Sequence, residues 1–317
     1  MNEMKIPKAP LYRDPIYDGP TDPVIIYNRE EECFFMLYTS RRASDISIGV
    51  SSIHGTHIGV ASSKDGVRWL YRGTIPNLEF EPGHNTFWAP EVIYVDGTYH
   101  MYVTYVRGIP TDWNWERHIV HYTATNMWEW TFQSILELSS NRVIDACVYE
   151  VEPGTYKMWY KDEVDNSYTY SATSTDLYHW TVLGKEISDV SHEGPNVFEL
   201  GGNKWMITDF WKGIGVYSSK DYTNWERKSD ILHEPGTRDG DDKLGHHADV
   251  VVCGEEAYIF YFTHCGFLKN EIVPANPSPT FEEAKTCIQV ARLTTNGEEI
   301  FCNRDEVFEL KIDESAV

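Results

Sequence analysis

Four copies of one short pattern constrain what this chain can fold into. In each, a tryptophan follows four residues after an Asp or Asn in a polar turn: Asp65 and Trp69, Asn126 and Trp130, Asp176 and Trp180, Asp221 and Trp225. The tryptophans stand 61, 50 and 45 residues apart. A repeat of that period means that one supersecondary unit is built several times. The sequence around the copies reads as strands, with β-branched or aromatic runs at 24–27, 34–38, 92–95, 99–106, 148–151, 156–160, 196–200, 204–209, 250–252 and 257–262. Val95-Asp96-Gly97-Thr98 is a strong hairpin signal, and Pro153-Gly154, Gly201-Gly202 and Cys253-Gly254 hold the same place in later repeats. Helical amphipathicity is limited to a short piece near 280–285.

The unit can be written out. A strand follows a polar dipeptide, a turn leads to an aromatic strand, a third strand ends in small residues, and the Asp-x-x-x-Trp hairpin leads into a fourth. That is a four-stranded antiparallel blade. Blades open near residues 22, 90, 145, 194 and 247. Five openings predict an all-β, five-bladed β-propeller occupying 1–317 as one domain. A β-sandwich would explain the strands and turns but not their phased recurrence. The last blade lacks the tryptophan element; residues 291–297 are its counterpart, as expected of a divergent blade where the chain ends meet.

Charge narrows the function. Forty-nine acidic and 27 basic residues give a net charge of −22. That argues against nucleic acid and against an anionic membrane surface as partners. Aromatic residues make up 14% of the chain, which suits either a β core or a cleft that stacks on sugar rings. The six cysteines show no CxxC spacing, and several lie in apolar runs, so buried reduced thiols and a reducing compartment are expected. The N-terminus carries no apolar leader, which points to the cytoplasm, although a chain trimmed of a leader for the periplasm or secretion would look the same.

In a propeller the first strand of each blade lines the channel, and its N-terminal end opens onto the usual ligand face. Asp22, Asp145 and Glu193 stand just before or at three of these openings, at matching places. Each alone would read as a turn carboxylate satisfied by backbone N–H groups. Three in phase point to chemistry or a cation, because gathering like charges is costly.

The ordered set Asp22-Pro23, Trp88-Ala89-Pro90-Glu91, Ile144-Asp145-Ala146, Glu193-Gly194-Pro195 and Gly245-His246-His247 resembles glycoside hydrolase family 43. The resemblance implies an exo-acting, inverting glycosidase that removes arabinofuranose, xylose or galactose-type residues from plant or algal oligosaccharides. It implies Asp22 as general base, Glu193 as general acid, and Asp145 as the carboxylate whose like charge keeps that acid protonated. Trp88, Glu91, His54, His57, Trp211 and His246 are the expected substrate contacts, with Trp113 and Trp115 at a distal subsite. No cofactor is expected for the chemistry. A structural Ca²⁺ or Na⁺ in the channel, reached from His247 through water, is a further implication. The Asp239-Gly240-Asp241-Asp242 stretch lacks the later Glu of a calcium loop and reads as solvated. Residue Glu91 stands where many members carry Asp. Three alternatives stay open. One is a family 117-like hydrolase with His192 or His247 as acid. Another is a family 130-like phosphorylase, for which no basic phosphate cradle is visible. The third is a non-catalytic carbohydrate-binding propeller. The oligomeric state is not legible in the sequence.

Overall fold

A side-chain oxygen makes each turn of the repeat. Asp65, Asn126, Asp176 and Asp221 each accept two backbone N–H groups, from the residues two and three ahead, at 2.8–3.0 Å. The tryptophan that follows then folds back over the blade. Trp69, Trp130, Trp180 and Trp225 pack into, or against, four different inter-blade cores, which makes them structural. In the last blade Asn296 caps Glu298 and Glu299 in the same way, and Ile300 stands where the tryptophan would be.

The computed structural model describes residues 5–45, 47–266 and 279–314. It contains five four-stranded antiparallel sheets, each in simple sequence order. Blade one is β1 (Pro20–Asn28), β2 (Cys33–Ser40), β3 (His57–Ser63) and β4 (Leu70–Thr74). Blade two is β5 (Thr86–Val95), β6 (Thr98–Val106), β7 (His118–Ala124) and β8 (Thr131–Ile135). Blade three is β9 (Val143–Glu152), β10 (Thr155–Asp162), β11 (Tyr168–Ser174) and β12 (Thr181–Ile187). Blade four is β13 (Glu193–Leu200), β14 (Asn203–Asp209), β15 (Ile214–Ser219) and β16 (Glu226–Ile231). Blade five is β17 (His246–Cys253), β18 (Glu256–Thr263), β19 (Cys287–Thr295) and β20 (Ile300–Cys302). The five-bladed propeller read from the repeat is therefore the fold. The short helical piece is also present, as α1 (Phe281–Ala284), started by a capping box between Thr280 and Glu283.

Tight turns join the first two strands of the blades. Asp96 and Gly97 both take positive φ, 47° and 85°, as a right-twisting two-residue hairpin requires. The apolar core is divided into layers, one between each pair of neighbouring blades. Val103 and Val24 share the layer between blades one and two, and Trp159 and Val197 share that between blades three and four. The ring closes between blades five and one. There Leu11, Tyr12, Phe308, Leu310 and Ile312 from the two ends of the chain fill the layer between β2 and β18. Tyr12 pairs with Ile288, and the Leu310 N–H donates to the Lys5 carbonyl at 2.8 Å. Closure thus uses both chain ends as wedges rather than a strand borrowed by one blade.

The acidic loop before blade five is exposed at Asp239 and Asp242, as read, but not at Asp241. Asp241 is fully buried and bonds to Arg304, Arg238 and the Tyr261 hydroxyl. Two guanidinium groups need a carboxylate to enter a core, and this loop supplies it. All six cysteines are free; Cys33, Cys147 and Cys287 are buried, and the other three are half-buried.

Candidate active site

Every opening strand breaks its register near its start. β1, β5, β9 and β13 each place two residues opposite one on the neighbouring strand: Asp22-Pro23, Ala89-Pro90, Asp145-Ala146 and Gly194-Pro195. β17 bulges by one residue, His247. Asp22, Ala89, Asp145 and Gly194 all have φ between 44° and 59°. A left-handed residue at a bulge turns its side chain or amide off the pleat and into the channel mouth. The strands therefore begin a few residues earlier than a reading from the prolines suggests.

The bulges also correct the matching of the three acids. Asp22 and Asp145 are true equivalents, but Gly194 holds the third such place, and Glu193 stands one residue before it. The ring at the mouth reads Asp22, Ala89, Asp145, Gly194 and His247, one residue per blade. His247 sits at its heart. Its Nδ1 lies 3.4 Å from Asp22 Oδ1, and its ring covers Gly194 so closely that an added Cβ would lie 2.6 Å away. Asp145 Oδ2 accepts the Gly194 N–H at 3.1 Å. The three acids predicted from separate blades are thus brought together around one imidazole.

Their charges interlock. Burial alone would push the Asp22 carboxyl up, but the His247 hydrogen bond and the Arg41 guanidinium hold it far below the usual carboxylate range. Burial pushes Asp145 up to about 7, with the Glu193 charge adding to it and His247 opposing. His247 is the reverse case: burial would lower it, but Asp145, Asp22 and Glu193 raise it to about 9. At neutral pH it is an imidazolium among carboxylates.

The other candidates divide. Trp211 remains half-buried in the β14–β15 turn at this end of blade four, with Lys161 Nζ 5.1 Å from its ring centroid. His246 lies beside the mouth, its Nδ1 3.0 Å from Asp209 Oδ2. His54 departs from the expectation: it is fully buried, bonds the Val50 carbonyl at 3.0 Å, and is lowered to about 4 by burial. Trp88 is only 8% exposed and donates its indole N–H to the Ile53 carbonyl at 2.6 Å, so the platform expected there is largely covered. His57 lies edge-on to His84, with ring centroids 5.0 Å apart. Trp113 and Trp115 are exposed, as a rim subsite would require. The ring of His192 is fully buried between Thr169 and the Val190 carbonyl, which removes it as an acid.

Glu91 is a link inside the channel rather than a surface contact. It accepts the Val148 N–H at 2.7 Å, as Cys147 accepts Val197, Asn196 accepts Val250 and Asp249 accepts Ile25. Each bond runs from one opening strand to the next. Burial raises Glu91 to about 8 and Asp249 to about 6. A cavity of about 10 Å³ lies between these groups and the Asp22–His247 pair, the room of one water molecule. Among the described residues no three His, Cys, Asp or Glu side chains converge as metal ligands.

Sequence reading missed a second ring. It is built by the residue on each second strand that faces the start of the bulge: Thr39, Thr104, Lys161, Asp209 and Phe262. Thr39, Thr104 and Asp209 accept the bulge amide of the next blade, from Ala89, Asp145 and His247, at 2.8–3.1 Å. Lys161 instead places Nζ 3.0 Å from Glu193 Oε2. Arg41, 3.9 Å from Asp22, comes from the end of the same kind of strand. Polar residues closing an aromatic strand were the available signal.

Comparison with known proteins agrees with the propeller fold. The profile of a family described as a probable glycosyl hydrolase domain, related to glycoside hydrolase family 43, matches residues 11–241. No curated protein sequence matches the chain. Among solved structures, a thermostable family-43 glycoside hydrolase superposes with a TM-score of 0.65 at 18% identity, covering 92% of this chain and 95% of the other. CoXyl43, a family-43 β-xylosidase/α-arabinofuranosidase from a compost microbial metagenome, gives 0.66 at 14% identity over 93% and 98%. The α-L-arabinofuranosidase of Lactobacillus brevis gives 0.62 at 17% identity over 91% and 95%. At these identities the likeness is one of fold.

Proposed function

The chain belongs to the family of glycosyl hydrolase domains related to glycoside hydrolase family 43, and from that premise we propose an exo-acting, inverting hydrolysis of terminal arabinofuranose, xylose or galactose-type residues. One observation carries the reading: Asp22, Asp145 and Glu193, from three blades, meet around His247 at the channel mouth. Hydrolysis by inversion needs an ionised carboxylate to take a proton from water and an acid on the opposite side to give one to the leaving oxygen. Asp22 suits the base, because His247 and Arg41 keep it ionised. Water attacks the anomeric carbon as Asp22 accepts its proton. Glu193 passes a proton to the glycosidic oxygen as that bond breaks. Asp145 holds the Gly194 amide beside Glu193. Trp211 and His246 flank the sugar. No step needs a metal.

The substrate names attached to structural neighbours, a β-xylosidase/α-arabinofuranosidase and an α-L-arabinofuranosidase, support the choice of pentosides. A panel of aryl α-L-arabinofuranosides, β-D-xylosides and β-D-galactosides, followed by proton NMR of the first sugar released, tests both parts. Hydrolysis with an inverted anomer is expected. A retained anomer overturns the mechanism. Measurable sugar binding without hydrolysis of any member would return the non-catalytic propeller.

A further inference from the structure

We infer that Lys161 is a positioning residue for Glu193: its ammonium holds Oε2 and leaves Oε1 as the oxygen presented to the glycosidic bond. The inference rests on the glycosidase reading above. Its ground is the second-strand ring. Three of the five residues there anchor the next blade by accepting a bulge amide. Lysine has only donors, so blade three gives up that anchor, and the Gly194 N–H turns to Asp145 Oδ2 instead. In exchange the fold buries an ammonium whose side chain is 4% exposed. A buried cation is tolerated only when paired. Nζ lies 3.0 Å from Glu193 Oε2 and 3.2 Å from Glu163 Oε1, and Glu163 is bound in turn by Arg117 and lies 3.9 Å from Arg142. Burial alone would lower the amine, but Glu193, Glu163 and Asp145 hold it charged, well above the usual lysine range. Glu193 Oε1 makes no hydrogen bond among the described residues.

Lys161 from β10 contacts Glu193, Asp145 from β9 and His247 from β17 interact with its charge, and Glu163, just beyond β10, binds the same ammonium. An ammonium at contact distance favours the carboxylate; the neighbouring carboxylates favour the acid.

The test compares Lys161→Met and Lys161→Arg with the parent chain on 4-nitrophenyl α-L-arabinofuranoside and β-D-xyloside. Lys161→Met should move the alkaline limb of kcat/KM upward by about 1–3 pH units. It should also lower kcat at the optimum by on the order of 10- to 100-fold, with a smaller change in KM. Lys161→Arg should leave the limb in place. An unmoved limb in a folded methionine variant overturns the inference. If that variant does not fold, Lys161→Gln carries the same comparison. Carbon-13 titration of the Glu193 carboxyl, assigned with Glu193→Gln, reads the shift without turnover. Absence of hydrolysis by the parent chain would therefore count against the glycosidase reading, while the titration still decides the role of Lys161.

Discussion

His247 Nδ1 lies 3.4 Å from Asp22 Oδ1, and this contact joins the last blade to the first across the channel mouth. Both residues occupy the bulge of an opening strand, so the pair is a product of the ring closing. It leaves one carboxylate ionised and one imidazole charged in the same buried volume.

Asp22→Asn and Glu193→Gln should each cut kcat by about 10²–10⁴-fold, the range for losing a general base or acid. The far-ultraviolet circular dichroism spectrum should stay close to that of the parent chain, showing an intact propeller. Full turnover in both variants would remove these residues from the mechanism.

Stability should fall as pH rises from about 6 to about 9. His247, Asp145 and Glu91 are raised to about 9, about 7 and about 8 in the folded chain, above their unfolded values. A group raised by folding binds its proton more tightly in the native state. Its contribution is full below the unfolded pKa and is lost as pH passes the folded one. Asp22 acts in the opposite sense and only in acid, where its contribution is lost as pH falls. Thermal midpoints across pH 7–9, above the range in which His54 and the other buried histidines act, check this, and Glu91→Gln should flatten part of the decline. A midpoint that climbs over that interval would contradict the assignment.

Gly194→Ala should disable the site. The residue has φ of +56°, and the new methyl would stand 2.6 Å from the His247 ring. A left-handed non-glycine residue costs about 1–3 kcal/mol before any clash. Displacement of His247 should then reduce turnover by more than the loss in thermal midpoint explains. An alanine variant with parental kcat would show that the ring position is not needed.

Asp241→Asn should destabilise blade five without touching the mouth. It leaves the Arg304 and Arg238 guanidiniums, both largely buried, without their carboxylate. Breaking such a buried pair costs about 3–5 kcal/mol. Denaturant unfolding measures it; a change within error would mean that the loop is solvated after all.

The blade count was legible because its signal is local. An Asp or Asn that caps the two amides ahead of it works within five residues, whatever surrounds it, and Asp65, Asn126, Asp176 and Asp221 all do so. The same phase pointed to Asp22, Asp145 and Glu193. It did not show that Glu193 precedes its bulge while Asp22 and Asp145 form theirs, because a bulge is a matter of pairing with the neighbouring strand. Nor did it separate Trp211, left half-buried at the mouth end of blade four, from His54, taken up whole by packing against Trp88 and Trp113.

What the sequence by itself determined is the repeat, its phase and the residue types carried to one end of each opening strand. These follow from hydrogen bonds and hydrophobic periods that close over a few residues. What only the tertiary structure decided is which of those groups touch. Lys161 reaches Glu193, Asp209 reaches His247 and Asp241 reaches Arg304 across gaps of 32, 38 and 63 residues. Contacts of that length have no local pattern to read. They exist because five blades, each ordinary alone, are held to a common axis by cores that lie between them.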